Sequence, residues 1–306
     1  MVTHNSAFSE ETLHQFVRKQ LRFNSGKNIF YSGEENKPEF LQETCDLIEI
    51  LQKNLFPERE KMIEFTVDKV LSEFYKVNQY YHFDKNAQSE LKQVYRDLLD
   101  DITSVSKETD IAAMAEKHYS RLQQWLQRTN PFAASLYPED VSVVDEVVCA
   151  EYSAEMQMEI LGLNLSTMVG PVLDVGCGAK AQLVTHLTKA GFDASGIDRN
   201  AEPGANLKKT DWMDFSFVPG HWGTIISNLG FSNHFRHHHL RNDGDYLDYA
   251  RKYMEILQSL KPGGAFYYAP DLPFIESYLD PQKYRITKRE IPRTGFFSVK
   301  IEFIII

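Results

Sequence analysis

The feature that most limits the fold of this chain is a change of sequence pattern near residue 165. After it, short β-rich runs alternate with segments of helix length, and these runs are 171–175, 193–198, 223–227 and 264–268. Such alternation predicts βαβ units and a parallel sheet covered by helices on both faces. Two further runs, 284–291 and 298–304, flank a short turn-rich link and predict an antiparallel hairpin at the sheet edge.

The residues before this change predict helices almost throughout. Apolar side chains recur at helical spacing, as at Leu13, Val17 and Leu21, and no strand-like alternation interrupts them. A chain of 306 residues is long enough for two domains. We therefore predict an all-α domain at 1–165, acting as a cap and substrate domain, and an α/β domain at 166–306.

The formal net charge of −10 is concentrated in the first of these domains. Residues 1–165 hold 17 basic and 28 acidic side chains, whereas residues 166–306 hold 16 basic and 15 acidic ones. Proteins that bind nucleic acid need clustered Lys and Arg side chains, so this balance argues against a nucleic-acid partner. It fits either a solvated helical surface or a preference for a neutral or cationic partner.

Membrane and secreted classes also fit the sequence poorly. No apolar run approaches the ~18 residues of a membrane span, and the first residues lack a basic-then-apolar leader. The three cysteines, Cys45, Cys149 and Cys177, are far apart, which suits neither a disulfide framework nor a zinc site. We therefore expect a cytoplasmic protein with no membrane partner.

A glycine-rich loop stands where the first β-rich run meets a helix. The loop, Gly176-Cys177-Gly178, follows Asp174, and Asp198 ends the next run. Glycines let the backbone approach a ligand closely, and the start of a helix offers free N–H groups. An acid at the end of the following strand can accept hydrogen bonds from both hydroxyls of a ribose. This arrangement predicts a nucleoside site.

The nucleoside itself is less obvious, because residues 176–181 also fit the dinucleotide pattern G-x-G-x-x-A. Three features argue against a dinucleotide. Asp174 would place a negative charge against a pyrophosphate, whereas it would attract an amino group. The loop begins only after a large helical block, and the sheet ends in a hairpin rather than in a second βαβ half.

At this point the chain resembles the class I S-adenosylmethionine-dependent methyltransferases, over about residues 150–306. The resemblance rests on four segments, which are 172–178 (Val-Leu-Asp-Val-Gly-Cys-Gly), 196–198 (Gly-Ile-Asp), 210–212 (Thr-Asp-Trp) and 260–264 (Leu-Lys-Pro-Gly-Gly). The first is similar to the D/E-x-G-x-G motif of the family, with Lys180 where the longer pattern has a third glycine. The last resembles the turn before the fifth strand, and the closing hairpin matches the sixth and seventh strands of the family.

The resemblance implies an α/β, Rossmann-like, doubly wound and mostly parallel sheet with an antiparallel terminal hairpin. It also implies S-adenosyl-L-methionine as the cofactor. In the family, the acid matching Asp198 holds the ribose. The acid matching Asp211 meets the adenine amino group, and the next side chain, here Trp212, packs on the ring. Arg199, beside the ribose acid, is a further candidate cofactor-binding residue.

The methionine end of such a cofactor carries an ammonium and a carboxylate. We expect the N–H groups of Gly176 and Gly178 to face the carboxylate and Asp174 to balance the ammonium. Tyr152 and Gln157, just upstream, would cover the same end, as the preceding helix often does in this family. The alternative is that these two are ordinary helix residues.

The end of the fourth strand points at the transferable methyl in this family. Asn228 and Phe231 partly match the D/N-P-P-Y/F motif of amino-methyltransferases, but Leu229 and Gly230 stand in place of both prolines. Asn228 is therefore a candidate group for orienting the substrate. The alternative is a generic loop, in which Asn228 makes a cofactor or turn contact.

Four of the ten histidines lie between residues 234 and 239. We predict His234 as a general base or substrate-orienting donor, the alternative being histidines that are solvated or pack in a loop. His234 and His238 are one helical turn apart, but no nearby cysteine or acid completes a ligand set, so we predict no metal. Arg236 and Arg241 are candidates for binding a substrate carboxylate.

The remaining signals concern the acceptor. The aromatic segment 74–83 fits either core packing or a cavity wall for a flat or cationic substrate, and Asp271 is a candidate polar contact. We predict methyl transfer to N or O of a small neutral or cationic metabolite. Two alternatives remain. One is aminobutyl-type transfer or cyclisation of the nicotianamine-synthase kind, and the other is a non-catalytic binding protein with a methyltransferase fold.

Overall fold

The computed structural model describes residues 10–52, 58–104, 111–147 and 151–304. The chain divides into two compact units, Met1–Val148 and Cys149–Ile306. The boundary that the sequence pattern places at 165 therefore lies inside the second unit. The reason is a short helix, α7 (Ala154–Leu161), which packs on the sheet and on a neighbouring helix of the second unit.

The described residues of the first unit are mostly helical, as predicted, with turns and irregular segments between the helices. They form α1 (Glu10–Phe23), α2 (Gln42–Leu51), α3 (Arg59–Val77), α4 (Lys85–Ser104), α5 (Ile111–Thr129) and α6 (Phe132–Leu136). Apolar residues at helical spacing turn inward, as at Ile63, Val67 and Val70 of α3.

Aromatic side chains build the core of this unit. Trp125 is fully buried, stacks on Phe83 with 4.7 Å between ring centroids, and donates its Nε1–H to the Ala87 carbonyl over 2.9 Å. Tyr81 is buried as well and meets Phe74 edge-on at 5.7 Å. These members of the segment 74–83 therefore pack as core, the simpler of the two sequence-based interpretations.

The second unit is a three-layer α/β structure. Its strands are β1 (Val172–Val175), β2 (Ala194–Asp198), β3 (Leu207–Lys209), β4 (Trp222–Asn228), β5 (Leu260–Ala269), β6 (Tyr284–Ile291) and β7 (Phe296–Phe303). After α7, its helices are α8 (Gln182–Lys189), α9 (Phe231–Leu240), α10 (Tyr246–Gln258) and α11 (Pro273–Glu276). Residues 260–264, which the resemblance places in a turn, are the first residues of β5.

The strands form one sheet in the order β3-β2-β1-β4-β5-β7-β6. Neighbours from β3 to β5 are parallel, whereas β7 runs antiparallel to both β5 and β6. The doubly wound sheet and its terminal hairpin are thereby confirmed. The order reverses between β1 and β4, and in open α/β sheets ligands bind beyond the carboxyl ends of the strands at such a switch point.

Helices cover both faces of this sheet. Helices α9 and α10 pack on one face and α7 and α8 on the other. Every residue of β1 and β4 is buried, as expected for parallel strands in the middle of a sandwich. Within the described part of the chain, no helix is both long enough and apolar enough to cross a bilayer.

Candidate functional site

The glycine loop leaves β1 at the switch point of the sheet. Gly176 has a φ of 83° and Gly178 a φ of 74°, in the left-handed region that favours glycine. A Cβ atom on Gly176 would also lie 3.2 Å from the Trp212 ring. The first glycine is therefore required both for its backbone conformation and for the close approach of an aromatic side chain.

The N–H groups of both loop glycines are already used inside the protein. Gly176 N–H donates to the Ile197 carbonyl over 2.8 Å, and Gly178 N–H donates to Asp198 Oδ2 over 3.1 Å. The expectation that these two groups face a ligand carboxylate is not met in this structure. The physical reason is the parallel pairing of β1 with β2, which brings the end of β2 under the loop.

Asp198 ties the loop to the end of β2. Besides Gly178, its carboxylate accepts a hydrogen bond from Asn200 N–H over 2.7 Å. Burial raises its pKa. The backbone donors of Asn200 and Gly178 oppose this shift, as does the Arg199 charge to a smaller extent. Arg199 therefore lies within electrostatic range of the predicted ribose acid.

Asp174, at the end of β1, is the most unusual group of the site. Its side chain is 1% exposed, and Oδ2 has no hydrogen-bond partner among the described residues. Burial, followed by repulsion from Asp198, raises its pKa to about 7. A buried carboxylate oxygen without a partner is costly unless a donor reaches it, so this position suits a ligand that brings a cationic N–H group.

One residue of the site was not predicted from the sequence. Glu151 Oε1 accepts hydrogen bonds from the N–H groups of Ala179 and Lys180, over 3.0 Å and 3.3 Å. Its Oε2 lies 3.3 Å from Lys180 Nζ. These N–H groups at the start of α8 form an anion site, and Glu151 fills it. The sequence signal for Glu151 is its position next to Tyr152, which the family resemblance makes a candidate for covering the methionine end of the cofactor.

The two upstream candidates make a contact with each other. The Gln157 side chain is buried, and its Nε2–H donates to the Tyr152 carbonyl over 2.9 Å, so the amide supports the first turn of α7. The Tyr152 side chain is half-buried. In this structure Gln157 therefore positions the backbone beside Glu151.

The segment after β3 brings Trp212 into the site. Asp211 Oδ1 accepts from Met213 N–H over 2.9 Å, which fixes the turn, and Asp211 also repels Asp198 electrostatically. Trp212 is buried and meets the His234 ring edge-on, with 4.9 Å between centroids. The structure thus brings together Gly176, Trp212 and His234, from three separate segments of the sequence.

The end of β4 forms the remaining side. Asn228 is 9% exposed, and its Oδ1 has no hydrogen-bond partner among the described residues. Leu229 adopts a left-handed φ of 55°, and its N–H donates to the Ala269 carbonyl over 2.9 Å. This sharp turn starts α9 one residue after Gly230, so His234 is carried by a helix rather than by a loop.

The other histidines of α9 point to separate partners. His237 contacts Arg241 at 3.1 Å, and burial, assisted by the Arg241 charge, lowers the pKa of His237 to about 4. His238 stacks on Tyr249, and His239 stacks on Phe274. Within the described residues no three His, Cys, Asp or Glu side chains are grouped as metal ligands.

The other polar candidates have protein partners. Arg236 lies over the Phe296 ring at 4.9 Å, and Arg241 pairs with Asp243 at 2.7 Å. Asp271 lies 2.9 Å from Lys288 Nζ. These contacts show how the side chains are held within the second unit, and none of them reaches the glycine loop.

No protein-family model and no curated protein matches the chain, whereas solved structures do. A SAM-dependent methyltransferase from Methanosarcina mazei is 16% identical, over 44% of this chain and 92% of that chain, with a TM-score of 0.31. N-methyltransferase NodS from Bradyrhizobium japonicum, in complex with S-adenosyl-l-homocysteine, is 17% identical over 49% and 85%, with a TM-score of 0.35. A SAM-dependent methyltransferase from Bacteroides fragilis, also with S-adenosyl-L-homocysteine, is 13% identical over 46% and 75%, with a TM-score of 0.31.

Likeness at these TM-scores is too weak to assign an activity. The fold assignment rests on the sheet itself, whose parallel centre and antiparallel terminal hairpin are those that the family resemblance implies. The second unit has the Rossmann-like fold of the class I S-adenosylmethionine-dependent methyltransferases.

Proposed function

We propose that this protein transfers a methyl group from S-adenosyl-L-methionine to a nitrogen or oxygen atom of a small metabolite that is neutral or cationic. The observation that carries the proposal is the buried Asp174 carboxylate, which lacks a partner for Oδ2 and lies beside the glycine loop at the switch point. The donor of such a methyl group is a sulfonium that also carries an ammonium, so it supplies the positive charge that this position lacks.

The acidic character of the site supports the same cofactor. Asp174 and Asp198 raise each other's cost of ionisation, and Asp211 adds to the effect on Asp198. A cluster of carboxylates with little compensating charge favours a cationic ligand and disfavours a pyrophosphate. A methyl donor that carries a sulfonium and an ammonium therefore fits this site better than a dinucleotide does, although the loop sequence alone suits both.

In this proposal, different residues around the loop bind different parts of the cofactor. Asp174 balances the ammonium and Asp198 accepts from the ribose hydroxyls. Trp212, held against Gly176, provides an apolar surface for the adenine. The N–H groups at the start of α8, which Glu151 fills in this structure, suit the carboxylate of the cofactor.

Methyl transfer is an in-line displacement, in which the acceptor forms a bond to the methyl carbon as the sulfur–carbon bond breaks. The sulfur keeps the electron pair, and the acceptor atom releases its proton. Positioning carries most of the rate in such a reaction. We assign the orienting role to Asn228, whose Oδ1 is ready to accept from an N–H or O–H group, and the proton to His234 when the acceptor is a hydroxyl.

The test of the cofactor is isothermal titration calorimetry of the full chain with S-adenosyl-L-methionine, S-adenosyl-L-homocysteine and NAD. We expect saturable binding of the first two, and loss of both with Asp198→Asn. The matched control is Asp193→Asn, because Asp193 is exposed and lies at the opposite end of the same strand. Binding of NAD alone, or equal binding by Asp198→Asn and the wild-type protein, overturns the proposal.

The test of the reaction is the cofactor product, measured by mass spectrometry after incubation with mixtures of small amines and alcohols. Methyl transfer replaces a hydrogen of the acceptor with a methyl group, so the acceptor gains about 14 Da. The appearance of S-adenosyl-L-homocysteine together with this mass gain supports methyl transfer. Methylthioadenosine instead indicates transfer of the 3-amino-3-carboxypropyl arm of the cofactor and contradicts methyl transfer. With a hydroxyl acceptor in hand, His234→Asn is expected to lower kcat about 100-fold while leaving cofactor binding unchanged.

A further inference from the structure

The first unit contains a cavity of about 220 Å³. All five long helices line it, with apolar side chains that include Val17, Leu47, Ile48, Val70, Leu98 and Ile102. An engineered apolar cavity of about 150 Å³ binds benzene. A space of this size and lining is therefore suited to an apolar molecule rather than to water.

Three polar side chains of the cavity wall are occupied by one another and by the backbone. Asn24 Nδ2 donates to the Tyr119 hydroxyl over 2.7 Å and to the Glu39 carbonyl over 3.0 Å. Gln20 Oε1 accepts from Leu41 N–H over 2.8 Å, and the Tyr119 hydroxyl donates to the Glu39 carbonyl over 3.1 Å. These groups are satisfied within the protein and do not require a ligand.

His118 of α5 is the exception among the wall residues. Its side chain is 3% exposed, and Nδ1 has no hydrogen-bond partner among the described residues. Burial, together with the Arg121 charge, lowers the pKa of His118 to about 3, so the ring is neutral. A neutral imidazole can pair with an uncharged hydroxyl, whereas the mostly apolar wall disfavours a charged ligand.

We propose that this cavity is a binding site for a small, uncharged, apolar molecule that carries one hydroxyl group, with the hydroxyl paired to His118 Nδ1. The apolar body would fill the space between the five helices. The site uses residues of the first unit alone, so it stands whether or not the second unit transfers methyl groups.

The experiment uses two probes of nearly equal size, 2-naphthol and 2-methylnaphthalene, and the full-length protein. Binding is followed by probe fluorescence and by the melting temperature. We expect one molecule of 2-naphthol to bind per chain, about tenfold more tightly than 2-methylnaphthalene, since one hydrogen bond to a buried group is worth about that factor. His118→Phe should bring 2-naphthol to the affinity of 2-methylnaphthalene.

Controls separate the cavity from other apolar surfaces. His14→Phe makes the same change in the same unit, on a ring that stacks against Phe65, and should leave both affinities unchanged. Val70→Phe and the smaller change Thr66→Met fill the cavity and should weaken both probes at least tenfold. The absence of saturable 2-naphthol binding, or binding that neither filling variant affects, overturns the site. Equal affinity for the two probes overturns the role of His118.

Discussion

The Glu151 side chain contacts the backbone of Ala179, because its Oε1 accepts a hydrogen bond from the Ala179 N–H over 3.0 Å. The two residues are far apart in the sequence but adjacent in the structure, and the carboxylate also pairs with Lys180. The N–H groups at this helix start are the ones that the carboxylate of an S-adenosyl-L-methionine molecule would need. Under the proposed function, the carboxylate of the cofactor would have to displace Glu151 from these N–H groups.

The first prediction follows from this competition. Glu151→Gln keeps the shape of the side chain but removes the charge that competes for the loop. We expect the variant to bind S-adenosyl-L-methionine about 3- to 10-fold more tightly, because charged acceptors bind such N–H groups more strongly than neutral ones. Titration calorimetry on the full chain measures the change.

Glu155→Gln is the control for this prediction, since Glu155 is exposed, lies one helical turn further on, and has its Oε1 4.0 Å from His186 Nδ1. It should bind the cofactor as the wild-type protein does. Weaker binding by Glu151→Gln would show instead that Glu151 contacts the cofactor directly, for example at its ammonium.

The second prediction concerns the stability cost of Asp174. Its pKa is raised to about 7 in the folded protein, against about 3.9 in an unfolded chain. The protonated carboxyl therefore favours the folded state fully below about pH 4, and this contribution is lost as the pH rises through 7. Asp174→Asn should abolish the loss and stabilise the second unit at pH 8 by on the order of 2–4 kcal/mol. Amide hydrogen exchange of β1 at pH-corrected rates measures it.

The same substitution should weaken cofactor binding, which makes stability and affinity change in opposite directions. An amide offers no negative charge to an ammonium, so we expect at least a tenfold loss of S-adenosyl-L-methionine affinity. In the wild-type protein, affinity should rise between pH 5.5 and 7.5 as Asp174 ionises, and the rise should be absent in Asp174→Asn. A variant that loses stability and affinity together would mark Asp174 as a structural residue.

The third prediction uses Trp212, which is one of three tryptophans in the chain. Its ring lies beside Gly176, so a bound adenine should change its fluorescence. We expect adenosine and S-adenosyl-L-homocysteine to alter the tryptophan emission of the wild-type protein. Trp212→Phe should remove that signal and lower the affinity several-fold.

Trp222→Phe provides the matched control, because Trp222 is equally buried but lies at the start of β4, the opposite end of the strand from Asn228. Its signal change on ligand addition should match that of the wild-type protein. An unchanged response in Trp212→Phe would place the adenine elsewhere.

The sequence predicts the second unit well because its determinants are local. The β-rich runs, the glycine loop and the acid at Asp198 are all visible in residues near one another in the chain, and the alternation of strands with helices indicates that the central strands are parallel. What it does not predict is where hydrogen bonds go. The N–H of Gly176 turns to Ile197, and Glu151 reaches Ala179, because tertiary packing decides these pairings.

The histidine cluster shows the same limit. Spacing on a helix correctly separates His234 from its neighbours in direction. The stacking of His238 on Tyr249 and of His239 on Phe274 depends on how α10 and α11 return to the sheet, which no local pattern of residues 234–239 contains. The boundary between the two units lies earlier in the chain than the sequence pattern places it, because α7 packs on the sheet that follows it in the sequence.

The last prediction concerns a buried carboxylate that supports the sheet near the site. Glu276 Oε1 accepts from the Tyr268 hydroxyl and from Leu272 N–H, both over 2.6 Å, and Oε2 lies 2.6 Å from Lys288 Nζ. Lys288 keeps a raised pKa despite the opposing effect of its burial, because Asp271 and Glu276 both hold its charge. Only the Glu276 side of this pair is buried, because the Lys288 side chain is 35% exposed.

We therefore expect Glu276→Gln to destabilise the second unit by about 1–3 kcal/mol, since it leaves Lys288 with one carboxylate and weakens two short hydrogen bonds. Amide hydrogen exchange of β5 reads this loss without interference from the first unit. Glu290→Gln is the control, because Glu290 lies exposed on β6, and it should change protection by less than about 0.5 kcal/mol. Equal protection in the two variants would mean that the Glu276 carboxylate contributes no net stability, as happens when desolvation cancels the attraction of a buried pair.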